Sequence, residues 1–239
     1  MSPTAATQFP ARKQQADETR ARLIDLAWEM VAREGTADFT MRQLAARAGV
    51  AVGLPYAYFK TREGLLDELR IRVWDCIDEV ILAATGVPPD QATPESFEAF
   101  VRAGLKAVVR FALGEPHVYG LIALTPGVTL SEHVLARELQ SAQPFINFLI
   151  RGEEQGEFEF EGNPTVFALA LWTSVQGYVQ RMGARMPDIF KPFQENVLDE
   201  ILDAFFARIR ATRRTRTGGT RGRKARATTT GGRTKPPRR

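Results

Sequence analysis

The stretch from Thr40 to Lys60, TMRQLAARAGVAVGLPYAYFK, gathers the side chains of this chain best suited to chemistry. Thr40, Arg42, Gln43, Tyr56, Tyr58 and Lys60 offer a hydroxyl, a guanidinium, an amide, two phenols and an ammonium. None of them forms a nucleophile–base pairing. They are hydrogen-bonding groups and cations of the kind that meet phosphate oxygens and base edges. Val52, Leu54 and Pro55 sit among them and can offer a base pair only apolar contact, which suits the thymine methyl group. The chemistry such groups suit is contact with a polyanion, with few of them able to pair with base edges. Arg42 and Gln43 are the best polar groove or backbone contacts. Lys60 is a phosphate cation, and Thr40 presents its hydroxyl and a helix N-terminus to a phosphate.

Such a reader needs short helices to hold it, and the flanking residues supply their ends. Thr40 and Gln43 have the spacing of a capping box, hydroxyl at the N-cap and amide three residues on. The helix they open runs to Ala48 and buries Leu44, Ala45 and Ala48. Gly49 provides the backbone freedom of a tight turn, and Val50 plugs the gap before a second short helix ending near Phe59. Ahead of this pair, a helix begins near Asp17, turns Leu23, Ile24, Ala27, Met30 and Val31 inward, and stops at Gly35. Behind it, Thr61 caps a long helix to Gly86 with Leu65, Leu66, Leu69, Val73, Ile77 and Val80 on one side.

Helical periodicity continues through the rest of the body. Val87-Pro88-Pro89 is a loop. Thr93-Pro94-Glu95 starts the stripe Phe97, Val101, Leu105, Val108, Phe111. Gly114 and Pro116 interrupt it, a shorter segment reaches Leu124, and Pro126-Gly127 turns the chain. Thr129 and Glu132 form a second capping box, and Pro144 predicts a kink or break in the helix that follows. Asn163-Pro164 opens a helix bearing Phe167, Leu171, Val175, Tyr178 and Met182. Asp188 opens the last, with Phe190, Phe193, Val197, Ile201 and Phe205. The only strand signal is a weak one at Glu157–Glu161.

Composition narrows the function further. Lys and Arg outnumber Asp and Glu 32 to 28. Thirteen of those bases lie between Arg208 and Arg239, a stretch without an acid, so residues 1–207 carry 19 bases against 28 acids, a net charge of −9. The chain is an acidic body with a basic, Thr-, Gly- and Pro-rich tail that cannot bury a core and can bind polyanions through counterion release. One cysteine, Cys76, excludes an internal disulfide, and two histidines supply few metal ligands. Cys76 reads as a small residue buried or half-buried in a helix, and His117 and His133 as capping or exposed residues. Neither a cofactor nor an enzyme is expected. No run of eighteen apolar residues predicts a membrane span, and residues 1–16 lack a secretory stretch, so a cytoplasmic, nucleoid-associated protein is expected.

From Phe39 to Leu66 the series Thr40-x-Arg42-x-Leu44-Ala45, Ala48-Gly49-Val50, Gly53-x-x-Tyr56-x-Tyr58-Phe59 and Glu63-x-Leu65-Leu66 resembles the DNA-binding domain of the TetR/AcrR family of bacterial repressors. The likeness extends over roughly residues 17–80. Leu171-Trp172-x-x-Val175-Gln176-Gly177 is similar to a Trp-x-x-x-His-Gly segment of one regulatory-domain subgroup, with Gln176 in place of histidine. Two further departures fall at Ala51, where the family has a capping Ser or Thr, and at Leu54-Pro55. Loss of the cap costs about 1 kcal/mol, and the second short helix is expected to start late, near Leu54, or to be loosened.

The resemblance implies an all-α fold, a three-helix helix-turn-helix domain joined to a larger helical ligand-binding and dimerisation domain, with about nine helices and a disordered basic tail. The boundaries expected are a flexible leader at 1–16, the reading domain at 17–62, the regulatory domain at 63–210 and the tail at 211–239. It implies DNA contacts from Thr40, Arg42, Gln43, Val52, Leu54, Tyr56, Tyr58 and Lys60. A homodimer is implied, through Ala168, Leu171, Val175, Tyr178, Val197, Ile201 and Phe205. A pocket for a small, mainly apolar effector is implied among Trp74, Phe100, Phe111, Tyr119, Phe145, Phe148, Trp172 and Gln176. Aromatic stripes at this spacing equally describe plain packing, and Tyr58 equally describes a core residue with its hydroxyl at the rim. The rival to a repressor-like reader of an operator is a helical interaction module with a degenerate reading head, held to DNA by its tail.

Overall fold

The computed structural model describes residues 5–88, 91–123, 129–156, 158–160, 162–183 and 192–211. Among them are the helices α1 (Ala5–Glu34), α2 (Met41–Ala48), α3 (Gly53–Phe59), α4 (Arg62–Thr85), α5 (Pro94–Gly114), α6 (Pro116–Tyr119), α7 (Glu132–Glu154), α8 (Pro164–Gly183) and α9 (Gln194–Phe206). The strands β1 (Phe158–Phe160) and β2 (Ile209–Ala211) form one antiparallel ribbon, Phe158 opposite Ala211 and Phe160 opposite Ile209. The fold is all-α, with this one small ribbon among the described residues. No described helix is long and apolar enough to cross a membrane.

The local signals near the N-terminus act as the sequence dictates. Thr40 Oγ1 accepts the Gln43 N–H at 3.2 Å, and Gln43 Oε1 accepts the Thr40 N–H at 2.9 Å. Gly49 ends α2 with φ 68°, a left-handed value that a Cβ disfavours. Thr61 Oγ1 caps α4 by accepting from Gly64 N at 2.9 Å, and Gly86 ends that helix in the left-handed region. Leu44, Leu65, Leu69 and Val73 are fully buried. They belong to one continuous apolar core that runs from Leu23 through α4 to Leu202 and Phe206. Helices α1 to α4 and the helices that follow them therefore share one core. Removing the α2 cap with Thr40→Ala is expected to cost about 1 kcal/mol, measured as a lower urea midpoint with an unchanged slope.

Several expectations are corrected. α1 does not start at Asp17 but at Ala5, so residues 5–16 are helical rather than a frayed leader. The run Ala11-Arg-Lys-Gln-Gln-Ala16 is made of strong helix formers, and it carries the helix past the cap candidate. The cap of α7 is Ser131, whose hydroxyl accepts from Val134 N, and not Thr129. α7 continues through Pro144 without a break. Gln140, whose carbonyl loses its donor to the proline ring, is exposed, so water can satisfy that oxygen. α9 ends at Phe206, and the chain then turns back as β2 to meet β1, where only β1 carried a sequence signal. The expectations for Pro89, Leu124, Pro126-Gly127, Asp188, Phe190 and residues 212–239 lie outside the described residues.

The seven residues expected at a subunit interface differ in their exposure. Ala168, Leu171, Val175 and Tyr178 are buried within the chain. α8 is apolar on more than one side, so periodicity cannot say which side turns inward. The apolar residues it leaves exposed are Val166 and Leu169. On α9, Val197 is exposed, while Ile201 and Phe205 are half-buried against the core.

Candidate nucleic-acid interface

α2 and α3 hold the candidate contacts on a rigid base. Arg22 of α1 donates to Ala48 O at 3.0 Å and so closes the C-terminal end of α2. Arg62 Nε donates to Phe39 O at 2.9 Å, and its Nη2 to Thr36 O at 2.5 Å, so the first residue of α4 grips the loop before α2. Arg20 pairs with Glu68 and lies over the Phe59 ring. These guanidinium groups fix α1, α2, α3 and α4 to one another, because each bridges a backbone carbonyl or carboxylate of a different element.

On the outer side, Arg42 is exposed and has no partner among the described residues. Val52 and Tyr56 are 52% and 48% exposed, unusually bare for an aliphatic and an aromatic side chain. Lys60 is exposed as well, and Leu54 and Tyr58 are half-buried. Tyr58 thus packs beside Phe59 while remaining partly exposed. Thr40 and Gln43 are exposed but spend their oxygens on the capping box, which leaves the Gln43 amide NH2 as the group with free donors. Arg47, exposed in the last turn of α2 and likewise unpartnered among the described residues, is a further cation that no motif spacing marks.

The departures at Ala51, Leu54 and Pro55 have a clear structural answer. α3 starts at Gly53, not Leu54, and its N-cap position, Val52, makes no side-chain cap bond. Pro55 is the third residue of the helix, where an N–H has no intrahelical acceptor to lose, and its ring is buried. The proline is therefore tolerated and serves as core. At the other end Lys60 has φ 62° and ψ −49°, the only positive φ of a non-glycine among the described residues. The Thr61 N–H reaches back to Phe59 O at 2.7 Å across it, a strained γ-turn. Strain of order 1–3 kcal/mol is thus held where the helix ends and its terminal cation projects.

A polar chain joins this unit to the end of α6. Arg70 of α4 is only 5% exposed. Its Nε donates to Leu121 O, just beyond α6, at 3.2 Å. Its Nη1 donates to Asp67 at 2.6 Å, and Nη2 pairs with Glu63 at 3.3 Å. Glu63 in turn accepts from Arg62 at 2.7 Å, and Arg62 holds the loop before α2. No local spacing marks Arg62, Arg70 and Leu121 as functional, since Arg70 and Leu121 lie 51 positions apart.

The residues expected at a pocket divide into groups. Phe145 and Phe148 stack on Phe97, at 5.4 and 3.6 Å between ring centres, and Phe145 stacks on Phe167. Phe148 belongs to the apolar core and Phe145 packs against it. Phe111 lies on the other side of α5, in a groove with Trp28, Ala32 and Val118, and Phe100 is half-buried against the core. Trp74 and Trp172 meet at 5.3 Å and 42°. Trp74 Nε1, Trp172 Nε1 and the Tyr119 hydroxyl are buried without a closed hydrogen bond. Glu138 lies beside Trp172, and burial pushes its carboxyl above the ordinary range while the indole N–H pulls it back. Burial also raises the Tyr119 phenol, helped by the nearby Glu138 charge. Gln176 is buried.

The model of bacterial regulatory proteins of the tetR family matches residues 23–69. The uncharacterised HTH-type transcriptional regulator TtgW of Pseudomonas putida is 31% identical over 141 residues, 56% of this chain and 94% of that protein. The HTH-type transcriptional regulator SrpR, also of Pseudomonas putida, is 30% identical over 141 residues, 56% of this chain, and the matched part spans 59% of its length. In three dimensions, a putative TetR-family transcriptional regulator from Rhodococcus sp. aligns over 80% of this chain and 98% of its own, with a TM-score of 0.60 at 16% identity. The matched segment holds the capped α2, the turn at Gly49 and the exposed α3, and the remaining helices follow the same all-α fold: the chain belongs to the tetR family of bacterial regulatory proteins.

Proposed function

We propose that this protein is a dimeric, sequence-specific DNA-binding transcriptional regulator, a repressor whose operator affinity is set by a small, mainly apolar ligand. The observation that carries the reading is the exposed surface of α2 and α3, where Arg42, Val52, Tyr56 and Lys60 stand bare on a base held by caps and guanidinium bridges. Thr40, Gln43, Leu54 and Tyr58 complete the contact set. In this reading residues 17–62 read DNA, residues 63–210 regulate and dimerise, and the protein works in the cytoplasm on the nucleoid. Val52 and Leu54 meet thymine methyls, Arg42 pairs with a base, Tyr56 and Lys60 hold phosphates, and DNA shape supplies the rest.

Two copies joined along α8 and α9 suit a net-acidic body, since a dimer doubles weak half-site contacts. Val166 and Leu169 with exposed Thr173 and Gly177 form one stripe on α8, and Val197 extends it on α9. Ligand and operator then compete by linkage, with the ligand favouring one arrangement of α4 and α6.

Selection of bound DNA from a random pool, followed by footprinting, tests the reading. A short palindromic site with half-sites one helical turn apart is expected; diffuse coating of any duplex overturns it. On the selected site, Arg42→Ala is expected to cost about 1–3 kcal/mol and to relax preference at one position. Lys60→Ala should weaken selected and scrambled duplexes alike. Equal losses for both variants on both duplexes would contradict this division of labour.

A further inference from the structure

We propose that the groove between α1, α5 and α6 binds an aromatic organic cation. The site is separate from the effector pocket of the reading above, so its occupancy can be measured whether or not that reading holds. The groove measures about 410 Å³, within the range of small-molecule sites. Its floor is apolar. Val118 of α6 is buried, and Trp28 and Ala32 of α1 and Phe111 of α5 are half-buried around it. Two aromatic side chains left partly bare in one concavity suit a flat apolar ring. Trp28 already accepts a cation, since the Arg72 guanidinium stands 4.6 Å from its ring centre. Arg72 is held there by Asp25, and the indole borders the groove as well.

The charges around this floor decide which ring-bearing molecule fits. Glu29 belongs to α1 and Glu115 to the junction of α5 and α6, so each side of the groove supplies one carboxylate. Both residues are exposed, and neither makes an ion pair among the described residues. Arg33 lies one turn beyond Glu29, at the spacing where opposite charges on a helix commonly pair. It makes no such pair here and is the one cation of the lining. Two carboxylates against one guanidinium leave the rim net negative. A cation set in the groove meets a carboxylate from each side while its ring lies on Trp28, Phe111 and Val118. An anion gains Arg33 but faces both carboxylates, and a neutral ring gains the floor alone. Ala32 and Arg33 stand in the last turn of α1, and the chain runs on through Gly35 to Thr36, whose carbonyl Arg62 holds. A ligand bridging α1 to the α5–α6 junction therefore fastens the α1–α4 unit to the helices behind it.

Calorimetric titration of the full chain with three probes that share one ring tests the site. The probes are 2-naphthylmethylamine, protonated at neutral pH, 2-naphthylmethanol and 2-naphthoate. At low salt the amine is expected to bind about tenfold tighter than the alcohol, the product of two exposed charge contacts worth a few-fold each, with the carboxylate weakest. The preference should shrink as salt is raised. Glu29→Gln and Glu115→Gln should each weaken the amine about threefold and leave the alcohol unchanged, while Arg33→Gln should tighten the amine by a similar factor. These three side chains are exposed, so unchanged thermal unfolding is expected of the variants. Ala32→Leu, which fills the groove, should weaken amine and alcohol alike. Equal affinity for amine and alcohol, a preference that survives both glutamate variants, or no binding of any probe overturns the inference. The selection of bound DNA judges the other reading by itself. A chain that selects no defined duplex yet shows the charge-dependent preference loses its role as a regulator and keeps this site.

Discussion

A variant carrying Leu169→Glu is expected to sediment as a monomer and to bind its operator about 10²–10⁴-fold more weakly than the parent, the range over which linking two modest sites raises affinity. Leu169 is 62% exposed in the protomer, so the new carboxylate meets water and should leave the helical circular dichroism spectrum of the monomer unchanged. In a two-fold pairing of α8 with its mate, however, the residue and its copy approach each other, and two carboxylates are buried without partners. The neighbouring residue of the stripe, Val166, should behave the same way. Leu171→Glu provides the contrast: that side chain is 4% exposed within the protomer, and its replacement should unfold the chain rather than split a dimer. A Leu169→Glu protein that remains dimeric, with full operator affinity, places the interface on another surface.

The second large effect concerns Arg70. Arg70→Met removes a buried guanidinium that serves Leu121 O, Asp67 and Glu63 together. We expect a loss of about 2–3 kcal/mol in urea unfolding, the cost of an orphaned carbonyl and a half-buried carboxylate. It falls short of the full cost of breaking a buried pair because Glu63 is largely exposed and rehydrates. Arg70→Lys should recover little, since a single ammonium cannot span three acceptors on two elements. The functional consequence is separable from the stability one. Below its unfolding midpoint the variant should still bind DNA, but ligand should shift its operator affinity much less, because the end of α6 is no longer fastened to the helix that grips the loop before α2. Undiminished ligand response, measured by titrating operator with and without saturating effector, would show that the polar chain carries no coupling.

The reading unit was legible because its instructions are local. Thr40 with Gln43, Gly49, Thr61 with Gly64 and Gly86 all act within four residues of themselves, so spacing alone specifies the bonds they make. Pro55 looked like a defect and became core, since its position in the first turn removed the penalty. The same locality misled at Asp17 and Thr129, where a sound capping residue was present and the chain used another start. Propensity and packing around a cap outweigh the cap, which is worth only about 1 kcal/mol.

Elsewhere the chain carries too little local information. α8 is apolar on several sides, and only the positions of α5, α7 and α9 turned Leu171, Val175 and Tyr178 inward and left Val166 and Leu169 bare. Glu138 and Arg70 read as ordinary surface charges on long helices until folding brought Trp172 to one and Leu121 to the other. By itself the sequence determined the caps at Thr40 and Thr61, the turns at Gly49 and Gly86, and the helical periods of α2 and α4, because those depend on neighbours along the chain. The tertiary structure alone decided which apolar side faces solvent and which buried polar groups stay unpaired, because burial and desolvation are set by groups distant in sequence.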